Sequence, residues 1–346
     1  MDATEREAKH EAARAHDDWL GLHTEEILEP DLPIIDPHHH LWVRDGVPYL
    51  LPELLSDLYA GHAVETTVFA ECHSMYRTGG EEALRPIGET EFVTGVAAMC
   101  ESGTFGPARA CKVMFGGVDL TLGRAVEPVL DAHERASGGR LRGVRYSTGW
   151  HEHEQIRNVA PRPRVLAEPS VREAIGVLAG RGLSFDSWLY HPQLPELAEL
   201  ADAFPSLTIV LNHVGSPILG GPYRGRLDEV FAQWKDLIAA VARRKNVVVK
   251  LGALPIRMPG SDADRSRPPG SEEVAEAWRP WIETCIECFG PARCMFESNF
   301  PVQRAWCSYP VVWNAFKRIA HGASPSEKTD LFAGTARRAY RIPNND

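Results

Sequence analysis

One rhythm limits the folds open to this chain more than any other feature. Short apolar, β-branched runs recur along it, and most are followed by a longer segment with helical spacing of apolar residues. The runs are LPIIDPHHHLW (32–42), TTVFAECHS (66–74), KVMFGGVDL (112–120), LRGVRYS (141–147), LSFDSWLY (183–190), LTIVLNHVG (207–215), NVVVKLGAL (246–254) and RCMFESNF (293–300). Helical patterns lie between them at 122–136, 170–181, 193–203, 225–244 and 271–289, while 94–105 is ambiguous between strand and short helix. Such alternation predicts parallel strands joined by right-handed crossovers. Eight units predict an α/β chain folded as a (β/α)8 TIM barrel. A doubly wound open sheet shares the rhythm, but no strand here is followed by a glycine-rich nucleotide fingerprint.

Residues 1–30 read as an acidic, alanine-rich amphipathic helix with Trp19, Leu20 and Leu22 as its apolar contacts. It forms an N-terminal helical extension on the outside of a barrel domain that spans 31–346. The proline-rich stretch 259–270 reads as a long loop after the seventh strand, because strand–helix units continue beyond it. A second long connection, 151–164, follows the fourth strand. In a barrel both overhang the C-terminal face, where sites lie.

Composition narrows the partners. A formal net charge of −10 argues against nucleic acid and anionic membrane. No apolar run reaches the length of a membrane span, and the charged N-terminus lacks the apolar core of a signal peptide. The seven cysteines are odd in number and scattered, which fits free thiols in a reducing cytoplasm. Cys285 and Cys288 form a CxxC inside a helical pattern and read as neighbours on a helix face.

The polar residues gather at strand ends. Alternation places Asp36, His38 and His40 on one face of the first strand and His39 on the other. Two neutral imidazoles on one face can converge on a single ion. Glu71 and His73 end the second strand, Arg145 the fourth, His191 the fifth and His213 the sixth. Lys250 lies in the seventh, and Glu297 and Asn299 end the eighth. Arg145 is either a structural cation paired with Asp186 or Glu71, or a fork for a substrate carboxylate. Arg145 and Lys250 are the cations among the strand residues, so a small anionic substrate is expected. His151 and His153 lie in a polar loop and read as solvated.

DPHHHLW, LNHVG, NVVVKLG and MFESNFP, in this order, resemble the amidohydrolase superfamily. They resemble most its amidohydrolase-related branch, which holds 2-pyrone-4,6-dicarboxylate lactonase and L-fuconolactonase-like enzymes. The likeness runs from about residue 26 to 341. It implies a barrel that hydrolyses a lactone or similar carboxylic acid derivative. It implies metal ligands at His38, His40 and His213, with His191 less well matched. A divalent ion, zinc first, is the implied cofactor, although some lactonases of the branch work metal-free. Where the branch has GSDWP this chain has Glu297-Ser298-Asn299-Phe300-Pro301, so Asn299 stands at the usual aspartate. An amide carries no negative charge and is no general base at neutral pH. Glu297 shares the inward face one layer deeper, and Glu297 or His191 is left to take a proton. Three functions follow from these readings: a lactone-opening hydrolase, a decarboxylase on the same barrel, and a non-catalytic ligand-binding barrel motivated by Asn299. A homo-oligomer is compatible with the sequence, which does not otherwise speak to assembly.

Overall fold

Each apolar run becomes one strand of a single parallel sheet in a computed structural model that describes residues 3–255 and 266–343. The strands are β1 (Ile34–His39), β2 (Val64–Ala70), β3 (Arg109–Gly117), β4 (Leu141–Ser147), β5 (Ser184–Trp188), β6 (Ile209–Leu211), β7 (Val247–Leu251) and β8 (Cys294–Phe296). Each pairs in parallel with the next. The two ends of the sheet meet just past β8. There His40 N–H donates to the Phe300 carbonyl at 2.8 Å, and Asn299 N–H donates to the His38 carbonyl at 2.9 Å. The sheet thus curls into an eight-stranded barrel, as the alternation predicts.

An N-terminal helix, α1 (Ala3–Gly21), precedes the barrel. One helix then follows each strand: α2 (Leu51–Leu58), α3 (Ile87–Glu101), α4 (Glu127–Ala136), α5 (Pro169–Gly180), α6 (Leu194–Ala203), α7 (Leu227–Ala242), α8 (Ser271–Phe289) and α9 (Tyr309–Ile319). The ambiguous stretch 94–105 falls largely within α3. Val93, Val96, Ala97 and Cys100 recur there at helical spacing on its buried face. Part of the expected loop 259–270, residues 259–265, lies outside the described residues. The N-terminal helix is shorter than the expected 1–30, and Leu22, expected as one of its contacts, is 65% exposed just past its end. Cys285 and Cys288 both lie in α8 and are free, as are the other five cysteines.

Two hydrophobic layers result. The larger one fills the space between strands and helices, with Trp234, Trp278 and Trp313 fully buried in it. Each such side chain contributes on the order of 1.5–3 kcal/mol through removal from water. The smaller layer lies inside the barrel and holds Ile35, Val68, Val113, Phe115, Val210 and Met295. A C-terminal turn and helix bring Ala333, Ala336 and Tyr340 against it. This segment lies at the start of the strands, because Arg341 Nη2 donates to the carbonyl of Arg142, the second residue of β4. The inner apolar layer therefore fills one end and leaves the C-terminal mouth polar.

The first strand departs from strict alternation. Its register with β2 shifts between Asp36 and His39, the mark of a bulge. Ile35 belongs to the inner layer and Ile34 to the outer one. Without the bulge the histidines at 38 and 40 would point outward with Asp36. The extra residue resets the pattern, so the expectation that Asp36 shares their face is corrected. Asp36 instead accepts from Ser298 Oγ at 2.5 Å and from Tyr309 Oη, on α9, at 3.0 Å. His39 turns away from the site to Thr67 Oγ1 at 2.7 Å.

Candidate active site

His38 and His40 meet inside the barrel mouth with their Nε2 atoms 3.3 Å apart. His40 donates its Nδ1–H to the Ala70 carbonyl at 2.9 Å, which leaves a lone pair on Nε2. Burial drives both imidazoles well below the usual histidine range. The charge of Lys250 adds to this for His38, and that of Arg145 for His40. Both rings are therefore neutral and able to act as ligands.

Beneath them lies Glu297, fully buried. Its Oε1 accepts the His213 Nδ1–H at 2.6 Å and the His213 backbone N–H at 3.1 Å. Its Oε2 is 2.9 Å from His38 Nδ1 but makes no hydrogen bond. One carboxylate thus orients the imidazole of the turn after β6, as carboxylates do at metal-binding histidines, and lies against the imidazole of β1. The rings of His38 and His213 stand 4.7 Å apart. Of the strand-end residues His38, His40, His213 and Asn299, the three imidazoles come together here.

Lys250 sits one layer down and has a different place from the one its charge suggested. Its Nζ is fully buried, 2.9 Å from Asp186 Oδ1 and 3.2 Å from His38 Nδ1. The same Asp186 oxygen accepts from Tyr340 Oη at 2.7 Å and Asn212 Nδ2 at 3.1 Å. Burial lowers the lysine from its ordinary range, and the charges of Asp186 and Glu297 pull it back up. Lys250 is absent from the cavity wall, so it contacts His38 from below rather than a bound substrate. His38 Nδ1 consequently faces a donor and an acceptor. In one tautomer Nδ1–H faces Glu297 and the Nε2 lone pair joins that of His40. In the other Lys250 donates to Nδ1, and Nε2–H donates to His40 Nε2.

The cavity above the histidines has a volume of about 470 Å³. His40, His213 and Asn299 form one wall, and Glu71, Arg145, Arg44 and Arg157 line the others. Asn299 Oδ1 is buried and has no hydrogen-bond partner. Arg145 Nη1 donates to the Glu71 carbonyl at 3.0 Å and lies 3.7 Å from Glu71 Oε1. Of the two partners expected for Arg145, Glu71 is therefore its neighbour, while Asp186 is taken by Lys250. Glu71 Oε2 is buried without a hydrogen-bond partner. His73, His213, Ser216, Ala253 and Asn299 all line this cavity with φ between 43° and 61°. Left-handed backbone at non-glycine residues is strained and collects at sites held by their surroundings. A groove of about 580 Å³ at α8 and α9, lined by Glu272, Arg279 and Lys317, lies away from the strand ends.

His191 is not brought into this cavity. Its Nδ1 accepts the Ile218 N–H at 3.2 Å, its ring meets Tyr223 edge-on, and burial lowers it to about 4. His151 likewise turns to Tyr223, with Nε2 3.0 Å from its hydroxyl. Trp42 and Arg44 were not anticipated from the sequence. They lie on a hairpin, Trp42–Arg44 paired antiparallel with Val47–Tyr49, around Asp45 and Gly46 at φ 51° and 79°. Asp-Gly between two short apolar runs is the sequence signature of such a turn.

The donor set fits a divalent cation. Two nitrogens bound to tetrahedral zinc at about 2.0–2.1 Å stand about 3.3 Å apart, the separation seen for His38 and His40. Ligand atoms of His38, His213 and Glu297 also lie within 4.8 Å of one another.

A parallel barrel with imidazoles at the ends of its first and sixth strands converging at the C-terminal mouth is an arrangement of the amidohydrolase class. The chain belongs to the amidohydrolase family, whose pattern it matches over residues 35–342. It is 31% identical over 336 residues to the uncharacterized protein y4mH of Sinorhizobium fredii, across 90% of this chain and 99% of that one. It is 25% identical over 323 residues to an L-fucono-1,5-lactonase of Burkholderia multivorans, across 89% of this chain and 96% of the relative. A Burkholderia multivorans amidohydrolase crystallised with bound zinc superposes with a TM-score of 0.68 at 23% identity, covering 90% of this chain and 99% of that one.

Proposed function

We propose that the protein opens a lactone, or a similar ester-like bond, in a small anionic molecule, using a divalent ion, zinc by preference. The observation that carries this reading is the convergence of the His38 and His40 Nε2 atoms at ligand spacing, with Glu297 bonded to His213 and 2.9 Å from His38 beneath them. The relative named as a lactonase and the neighbour crystallised with zinc support it. His38, His40 and His213 hold the ion, which when bound polarises a carbonyl and makes water more acidic. Asn299 Oδ1 accepts a hydrogen bond from the attacking water and so aims it. Glu71 is the only carboxylate on the cavity wall among the described residues. It takes the proton from the water as the new C–O bond forms. It then returns that proton to the ring oxygen as the acyl C–O bond breaks, leaving a hydroxy acid. This places proton transfer on Glu71 rather than on Glu297 or His191, which lie off the cavity wall. Arg145, with Nε unpaired, holds an anionic group of the substrate. Seven free cysteines fit a cytoplasmic location.

The test is metal analysis of untagged protein, followed by a panel of lactones with and without chelator. Stoichiometric zinc, and acid release that chelator abolishes and zinc restores, is the expected result. Full turnover in chelator with no metal detected would replace this account by the tautomer in which His38 donates to His40. Carbon dioxide release would mean a decarboxylase. Ligand-induced stabilisation without turnover would mean a binding protein.

A further inference from the structure

The family match starts at residue 35, and the relatives align over nearly their whole length while leaving about a tenth of this chain unmatched. Helix α1 lies before that match and still contacts two segments that carry cavity-lining residues. His10 Nε2 bonds the carbonyl of Gly46, at the apex of the Trp42–Tyr49 hairpin, at 2.8 Å. Lys9 Nζ lies 3.5 Å from Asp45 at the same turn. Two turns further along, His16 Nε2 bonds the Arg304 carbonyl at 2.9 Å, and Asp17 pairs with the Arg304 guanidinium at 2.6 Å. Arg304 follows Val302, which lines the cavity.

The hairpin that α1 holds carries Arg44. The Arg44 guanidinium lies 3.5 Å from the centroid of the Trp42 ring, and Trp42 in turn stacks on His40 at 5.4 Å and 18°. Stacking occupies the flat face of a guanidinium and leaves its in-plane N–H donors free for a carboxylate. Arg44 has no hydrogen bond or ion pair among the described residues. Three arginines, 44, 145 and 157, face the cavity against the single carboxylate of Glu71. A two-stranded hairpin with three residues in each strand is marginal by itself, so its position depends on what it packs against.

We propose that Arg44 binds an anionic group of the substrate, such as a carboxylate, and that α1 positions it by fastening the hairpin through His10. This rests on the anionic-substrate reading above. It adds a binding residue beside the histidines, and it gives the extension beyond the family match a part in recognition.

The test uses the full chain and glutarate as a dianion probe, with neutral glutaramide as control, by titration calorimetry. Wild type binds glutarate saturably and more tightly than glutaramide, and Arg44→Met weakens glutarate by about tenfold, the size of one lost charge-assisted contact. His10→Ala raises amide exchange across residues 42–49 and weakens glutarate by about threefold, and His10→Gln, which can still donate to Gly46, restores both. On any lactone that is turned over, His10→Ala raises KM and leaves kcat unchanged. No saturable glutarate binding by wild type, or a change under twofold in Arg44→Met, would overturn the role of Arg44. Unchanged exchange in His10→Ala would overturn the role of α1. Glutarate binding needs no turnover, so a chain that hydrolyses no lactone but shows these shifts would retain this inference and lose the hydrolase reading.

Discussion

The two sides of the cavity are built differently. The histidine side stands on strand ends. His38, His40, His213 and Glu297 are buried; His40 Nδ1 is committed to the Ala70 carbonyl and Glu297 Oε1 to His213, while Glu297 Oε2 lies 2.9 Å from His38 Nδ1. The arginine side is looser. Glu71 and Arg145 stand at the ends of β2 and β4, while Arg44 and Arg157 come from a hairpin and a loop. Groups that perform chemistry need fixed geometry, since misplacement of about an ångström is felt strongly in rate. Groups that recognise a substrate keep donors open and gain from adaptable support.

Four changes test that contrast, and the largest effect belongs to the histidine side. His40→Ala removes one of the two converging lone pairs. It should abolish stoichiometric metal binding and lower kcat/KM by about a thousandfold or more. Retained metal and activity would mean that the converging nitrogens are not the reactive centre. Next, Glu297→Gln keeps the shape but loses the charge that orients His213 and faces His38, and metal affinity should fall about 10–100-fold. Chelator competition reads this directly, and an unchanged affinity would reduce Glu297 to a packing role.

On the arginine side, Arg145→Met should raise KM about tenfold while the melting temperature stays near that of wild type. A large loss of stability with normal KM would show that its contact with Glu71 is structural, and the two sides would then differ little.

The smallest effect is on stability against pH. Burial holds His38 and His40 below their usual range, lowers His39 to about 3, and lowers His62, His133 and His191 to about 4. An unfolded chain titrates these near 6.5, so below that pH it takes up protons that the folded chain refuses. Their contribution is full above about pH 6.5 and is lost as pH falls towards about 4. Burial raises Asp36 and Asp57 to about 6 and Glu89 to about 8, which opposes the trend because the folded chain keeps those protons longer. Six histidines outweigh these three carboxyls and Glu196, which burial also raises. Metal-free protein should therefore melt lower at pH 5 than at pH 7, and His133→Gln should narrow the gap. A melting temperature that holds or rises towards pH 5 would show that the carboxyls dominate.

The contrast also marks what could be read from residues alone. The eight strands and their helices were legible, because burial on both faces of a parallel strand and on one face of a helix imposes short-range periods. The strand-end histidines were legible for the same reason: a polar group that closes an apolar run has few places to go but the barrel mouth. Arg44 carried a local signal, the Asp-Gly turn of its hairpin.

Other features had no local signal. The bulge after Asp36 decides which histidines enter the barrel, and it follows from the register against β2. Glu297 joins a histidine 84 positions away to the one on β1, and Lys250 reaches a histidine 212 positions away. Lys250 was assigned to substrate on its charge, yet the depth at which β7 enters the barrel places it beneath the site. The sequence by itself determined the repeating unit, because period and propensity act between near neighbours. Tertiary structure alone decided which polar groups became partners, because closing the ring sets the stagger of every strand against the next.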